Sequence, residues 1–214
     1  MPPIVDPLLV TALLLNFLLL GSSRLRSLIR WIAWQGVVLG VLLAVAHGDH
    51  PGPRTLALAA VAVAMKAGLV PWLLYRTTRQ DALRREVEPL LSFVSTLLLG
   101  GVGTGIALAF GSTLPMLPEH TTVLLVPAAL ATVFTGFLLM TTRRKAITQV
   151  IGYLTLENGV FLFGLTLSEA MPAMVEIALL LDLVAAIFVM GITVNHIYRT
   201  FSSADTTALS ALRD

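Results

Sequence analysis

The chain has no cysteine in its 214 residues, so it forms no disulfide of its own and offers no thiolate to a zinc or iron–sulfur site. Charge is scarce as well. Only 12% of its residues are Asp, Glu, Lys or Arg, against roughly 25% in a soluble domain. No zinc motif, phosphate-binding loop or nucleophile–base pair is visible, so the chain is expected to catalyse nothing alone and to hold no cofactor. Internal repeats of soluble type and low-complexity tracts are missing. No basic residue precedes Arg24, and Asp6 is acidic. The first apolar run therefore lacks the cationic start of a signal peptide and reads as an uncleaved helix, although Gly21-Ser22-Ser23 resembles a cleavage site.

What is present is apolar. Hydrophobic residues make up 57% of the chain, and the mean hydropathy is +0.89. A soluble globule of this size could not hide that much apolar surface, so the expected class is an all-α polytopic membrane protein. Seven apolar segments follow one another, at 4–20, 31–46, 55–74, 90–110, 123–140, 147–167 and 172–197. Most approach the ~20 residues that cross ~30 Å of hydrocarbon, and the first two gain length if they extend into their polar flanks. Proline-bearing loops at 47–54 and 111–122 and a tight turn at 168–171 separate them.

The cations set the orientation. Arg24, Arg26 and Arg30 follow the first segment; Arg76, Arg79, Arg84 and Arg85 the third; Arg143, Arg144 and Lys145 the fifth; and Arg199 and Arg213 the seventh. Seven spans put all of these on one side, leaving Arg54 opposite and Lys66 within the membrane. The positive-inside rule then predicts an outside N-terminus and a cytoplasmic C-terminus.

Ionisable residues at membrane depth cost roughly 2.5–3.5 kcal/mol each on insertion scales and mark ion or proton paths by default. Lys66 lies about ten residues, ~15 Å, from either end of its segment, a long reach for snorkelling. Pro71, five residues on, is expected to free a carbonyl near Ala67. In segment six, Gln149, Tyr153 and Glu157 are spaced i, i+4, i+8 and share one face, leading to mid-depth. Segment seven carries Glu176 near its outer end, Asp182 near mid-depth, and Thr193 and His196 towards the cytoplasmic end. A carboxyl taken out of water gains and loses protons near neutral pH, and a lysine that approaches or withdraws drives the exchange. These residues therefore suit a proton relay. Bland readings stand beside this one: Glu157 tied to Lys66 as a buried structural pair, Tyr153 as plain packing, Glu176 solvated, and His196 as an ordinary boundary residue.

The run Gly100-Gly101-Val102-Gly103-Thr104-Gly105 lies inside an apolar segment with no preceding strand, so helix packing is expected, not nucleotide binding. Small-xxx-small faces are expected at Gly101 and Gly105 and at Gly36 and Gly40. Two cytoplasmic pieces, the loop 76–88 and the tail from Ser202, read as docking segments or as topogenic charge alone.

The run Ile151-Gly152-Tyr153-Leu154-Thr155-Leu156-Glu157-Asn158-Gly159, then Pro172-Ala173-Met174-Val175-Glu176-Ile177 and Asp182, strongly resembles the hydrogenase-4 component E family. Met65-Lys66 to Leu69-Val70-Pro71, Arg199-Thr200 and the closing Ala208-Leu209-Ser210-Ala211-Leu212-Arg213 look like it too, so the resemblance extends over essentially the whole chain. In that family the last three helices are similar to subunit K of complex I, with Glu157 on that subunit's first membrane glutamate. Asp182 falls roughly on its second, with aspartate in place of glutamate. The resemblance implies one membrane domain, with a four-helix block (1–110), a subunit K-like three-helix block (122–200) and a cytoplasmic tail (201–214). It implies a non-redox membrane-arm subunit of a group 4 [NiFe]-hydrogenase or formate hydrogenlyase-like complex in a bacterial or archaeal plasma membrane. Nickel–iron and iron–sulfur centres would sit in partner subunits. Expected partners are antiporter-like membrane subunits, a peripheral hydrogenase arm and lipid, and no nucleic acid. Glu157 and Asp182 would carry protons, Lys66 would modulate them, and Gln149, Tyr153, Thr193 and His196 would order water. Two rivals stay open: a small subunit of a multi-subunit cation/proton antiporter, and a scaffold that clamps larger subunits.

Overall fold

A computed structural model describes residues 3–46, 52–78, 90–113, 122–166 and 191, and within them every regular element is helical. Helix α1 covers Val5–Gly21 and α2 Leu25–Ala46. The third apolar segment is α3 (Pro53–Val63), a π-helical stretch (Ala64–Leu69) and α4 (Val70–Thr78) run together. Helices α5 (Phe93–Gly111), α6 (Leu125–Thr142) and α7 (Ala146–Thr166) follow. Among the described residues, five stretches are long and apolar enough to cross a membrane: Leu25–Val45, Leu56–Arg76, Phe93–Gly111, Leu125–Thr142 and Ala146–Thr166. The shorter Val5–Gly21 is apolar too. Apart from Gly191, the expected seventh segment, 172–197, lies outside the described residues, as do the tail and residues 79–88 of the expected docking loop.

Local chemistry sets the helix ends. Pro53 occupies the first turn of α3, where its missing N–H costs nothing. Ser92 caps α5 by accepting from the Ser95 backbone N–H at 3.1 Å. Helix α6 stops where Arg143 turns extended, and α7 restarts as the Lys145 carbonyl takes the N–H groups of Thr148 and Gln149. The second segment begins six residues before its apolar run, because the stretch from Leu25 to Arg30 is helical despite its arginines.

Helices α6 and α7 form the most extensive pair. A Cβ added at Gly136 would lie 2.3 Å from the Leu156 backbone nitrogen, and one at Gly152 would lie 2.7 Å from that of Met140. The two backbones therefore touch, as small residues permit where no hydrophobic effect drives helices together. Helix α2 packs on α7, α1 lies against α2, α5 and α6, and the α3–π–α4 segment lies on α2. Both hydrophobic cores mix early and late parts of the chain: Leu19, Leu28 and Leu73 meet Leu139 and Ile151 in one, and Leu9, Leu39 and Ala62 meet Ala128 and Leu162 in the other.

The small-residue face of α2 forms as expected. A Cβ on Gly36 would meet Lys66 Cβ at 2.7 Å, and one on Gly40 would meet Val63 Cγ2. Helix α5 differs. Gly101 and Gly105 face open space, and the close contacts fall at Gly100 on Leu20, Gly103 on Phe134 and Gly111 on Pro127. The tight face is a neighbouring one, about 100° away by helical rotation. Val94, Leu98, Val102 and Ile106, four residues apart, point outward on the open side.

The basic segments gather at one end of the bundle. Tyr75 donates its hydroxyl to the Arg26 carbonyl at 3.2 Å, and Arg143 reaches the Leu20 carbonyl at 2.7 Å. Arg143 is no solvated topogenic charge. It is fully buried, stacked 4.7 Å from the Phe93 ring centroid, and burial holds its pKa below the usual arginine value. Its donation to the last turn of α1 also satisfies a carbonyl at the negative end of that helix.

Candidate functional site

The third segment explains how Lys66 comes to face inward. Pro71 has no N–H to return to the preceding turn. The helix does not end near Ala67, where the sequence is expected to free a carbonyl. Instead the turn widens, and Val70 donates to Met65, five residues back. Single π turns of this kind concentrate at functional sites. Lys66 lies inside the widened turn, 8% exposed, with its stem against the bare backbone of Gly36.

The ammonium of Lys66 lies 3.6 Å from Glu157 Oε1. It also donates to Asn158 Oδ1 at 3.0 Å and sits 5.4 Å from the Phe161 ring centroid. Glu157 is 2% exposed. Each partner is about ten residues from the end of its apolar span, so the pair lies ~15 Å from either end of its helices. The Lys66–Glu157 pairing that the sequence offered as one option thus forms, near the middle of both helices.

The pair is one end of a longer ladder. Asn158 Nδ2 donates to Gln35 Oε1 at 3.1 Å, Gln35 Nε2 to Asn16 Oδ1 at 2.8 Å, and Asn16 Nδ2 to Thr132 Oγ1 at 2.9 Å. Thr132 passes its own hydroxyl to the Ala128 carbonyl at 2.7 Å. All these residues are buried. The ladder crosses α7, α2, α1 and α6, and it begins on the π turn. Each amide spends both its donor and its acceptor on a neighbouring helix, which fixes its orientation and the helix register.

Among residues expected at the site, the structure brings Lys66 and Glu157 together. Gln149 is exposed at the basic end, where its amide donates to the Arg143 carbonyl at 3.0 Å. Tyr153 is half-buried against the core around Leu19 and Ile151. The row Gln149, Tyr153, Glu157 therefore runs from exposed to buried along one face. Asp182, Glu176, Thr193 and His196 lie outside the described residues. The sequence reading passed over Asn16, Gln35 and Thr132 and gave Asn158 no role. The available signal was a lone amide in each of two otherwise apolar helices, since a polar group in hydrocarbon needs a partner.

Replacing Gln35 with leucine removes two rungs and strands the Asn16 carbonyl oxygen and the Asn158 amide. The expected cost is about 1–3 kcal/mol of folding stability, read as a lower midpoint in detergent unfolding, with Gln35→Glu milder than Gln35→Leu.

Comparison with known proteins gives one match along most of the chain. Over 203 residues it is 34% identical to the uncharacterized protein Rv0085 of Mycobacterium tuberculosis, covering 94% of this chain and 92% of that protein. A shorter match, 33% identical over 78 residues, links it to Hydrogenase-4 component E of Escherichia coli and of Shigella flexneri. That alignment covers 36% of each chain, so the resemblance read over the whole sequence narrows to a distant, partial relation. No family model matches the chain, and no solved structure matches it.

Proposed function

This chain belongs to the family of Mycobacterium tuberculosis Rv0085, and from that premise we propose that it is a non-redox membrane-arm subunit of a complex I-like, hydrogenase-type assembly. In this reading it crosses the membrane seven times with its arginine-rich end in the cytoplasm. Antiporter-like subunits lie beside it, and a peripheral arm carries the nickel–iron and iron–sulfur centres. The distant relation to Hydrogenase-4 component E supports the assignment. The observation that carries it is the Lys66–Glu157 contact, a buried charge pair between two apolar helices.

An ammonium beside a carboxylate favours the charged form, and its withdrawal favours proton uptake. Glu157 is the proton-carrying group, and Lys66 sets when it loads. The π turn that holds Lys66 is the element a neighbouring subunit would displace. Gln149 and Tyr153 lead from the basic end towards Glu157 and order water along that face. Asp182, with Glu176 beyond it, continues the path on the last segment, and Thr193 and His196 line its return. The transported ion is H⁺ or Na⁺.

The ladder favours one second reading, a scaffold whose charges are paired only to fix helix register. A mild-detergent purification of the tagged chain, with mass spectrometry of what accompanies it, tests the assembly. Recovery of a hydrogenase large subunit with iron–sulfur and antiporter-like subunits is the expected result. Antiporter-like proteins without any redox subunit would move the chain to a cation/proton antiporter.

A further inference from the structure

A groove of about 740 Å³ lies at the basic end of the bundle, between α1, the first turns of α2 and α5. Its walls are Leu14, Phe17 and Leu18 from α1, Leu97 from α5 and Trp31 from α2. At one end it turns polar, with Ser22, Ser23, Arg24 and Ser27. Arg24, Ser27 and Trp31 are spaced i, i+3, i+7 and so share one face of the chain entering α2. Among the described residues, no carboxylate lines the groove. The Arg24 carbonyl receives the N–H groups of Ser27 and Leu28, so α2 begins at this spot, its positive end towards the polar pole. The Ser22 hydroxyl is spent on the Leu18 carbonyl.

We propose that this groove binds one anionic glycerophospholipid, its phosphate at Arg24, Ser23 and Ser27 and an acyl chain along Leu14, Phe17, Leu18 and Leu97. The polarity runs as a lipid's does, from cation and hydroxyls through an aromatic to aliphatic walls, in the order found at membrane interfaces. The length fits as well. From Leu14 to Gly21, where α1 ends, is seven residues of helical rise, ~10 Å, which lies within the ~15 Å of hydrocarbon in one leaflet. A groove confined to one leaflet suits one lipid, whereas a spanning partner helix would need it to continue across the bilayer. With the Arg24 cation and two serine hydroxyls at its polar pole, the site selects an anionic headgroup over a zwitterionic one.

The test is native mass spectrometry of the full chain, released from detergent with phosphatidylglycerol or phosphatidylcholine added. Phosphatidylglycerol is expected to be retained about fivefold better. Arg24→Gln should abolish that preference and Arg24→Lys should keep most of it. Leu97→Trp, which fills the apolar wall, should cut retention of both lipids. Detergent unfolding verifies that each variant is folded, and Leu18→Trp replaces Leu97→Trp if the latter is not. Glycerol phosphate in excess should not displace the lipid, which separates a lipid site from a bare phosphate site. Equal retention of the two lipids by the native chain overturns the proposal. So does a preference that survives Arg24→Gln, or retention that survives the folded tryptophan variant.

Discussion

Lys66→Met is expected to lower the folding stability of the chain by about 3–5 kcal/mol, the range for removing one partner of a buried ion pair. The ammonium serves Glu157 at 3.6 Å and Asn158 at 3.0 Å, and methionine supplies neither charge nor donor. The stem is not the source of the loss, because methionine fills nearly the same space beside Gly36. Removing both charges should therefore restore most of the stability. In a cycle of Lys66→Met, Glu157→Gln and the double variant, the double variant is expected to be more stable than Lys66→Met alone. The coupling should be about 2 kcal/mol or more, at the upper end of the roughly 0.5–3 kcal/mol found for contacting residues. Unfolding titrations in mild detergent measure all four proteins. A Lys66→Met chain within about 0.5 kcal/mol of the native one would mean the pair is hydrated and not compensating buried charge.

Gly136→Leu is expected to be comparably damaging. The nearest atoms to a new Cβ there are the Leu156 nitrogen at 2.3 Å, the Leu156 Cα at 2.6 Å and the Gly152 carbonyl at 2.7 Å. All are backbone and cannot rotate aside, so α6 and α7 must separate. Overpacking costs typically 1–3 kcal/mol when side chains can adjust, and a rigid neighbour puts this substitution at about 3 kcal/mol or beyond. Separation would also shift Glu157, one residue from Leu156, away from Lys66. The expected result is loss of folded chain from the membrane fraction, measured by fluorescence-detected size exclusion. Gly101→Leu is the control, with open space around its Cβ and an expected change within about 0.5 kcal/mol. If Gly136→Leu and Gly101→Leu behave alike, the helices are not in backbone contact.

The helices described here were legible in the sequence because long uncharged runs have few other uses. Their ends were less so. Apolar runs locate the hydrocarbon, whereas helix ends follow caps and backbone turns, which is why α2 starts at Leu25 among arginines. The meeting of Lys66 with Glu157 was legible as an option, since two opposite charges at one depth need each other. The ladder through Asn16, Gln35 and Thr132 was not, because one amide per helix carries no periodic signal and its partners lie up to 123 positions away. Nor does a glycine run reveal which of its faces is covered. Gly101 and Gly105 satisfy the spacing rule, yet Gly100, Gly103 and Gly111 make the contacts, because α1 and α6 approach α5 from that side. The π turn depended on how the chain accommodated Pro71, and widening the helix was a second solution beside breaking it.

The most direct test of the central claim, that the Lys66–Glu157 pair moves ions, is transport by sealed vesicles containing the assembled complex. Redox turnover and ion uptake are followed together for the native complex and for Glu157→Gln, with assembly checked by native gel. The account predicts redox turnover near the native rate and ion uptake reduced at least tenfold. Ion uptake per turnover unchanged in an assembled Glu157→Gln complex would contradict it and leave the pair as scaffold.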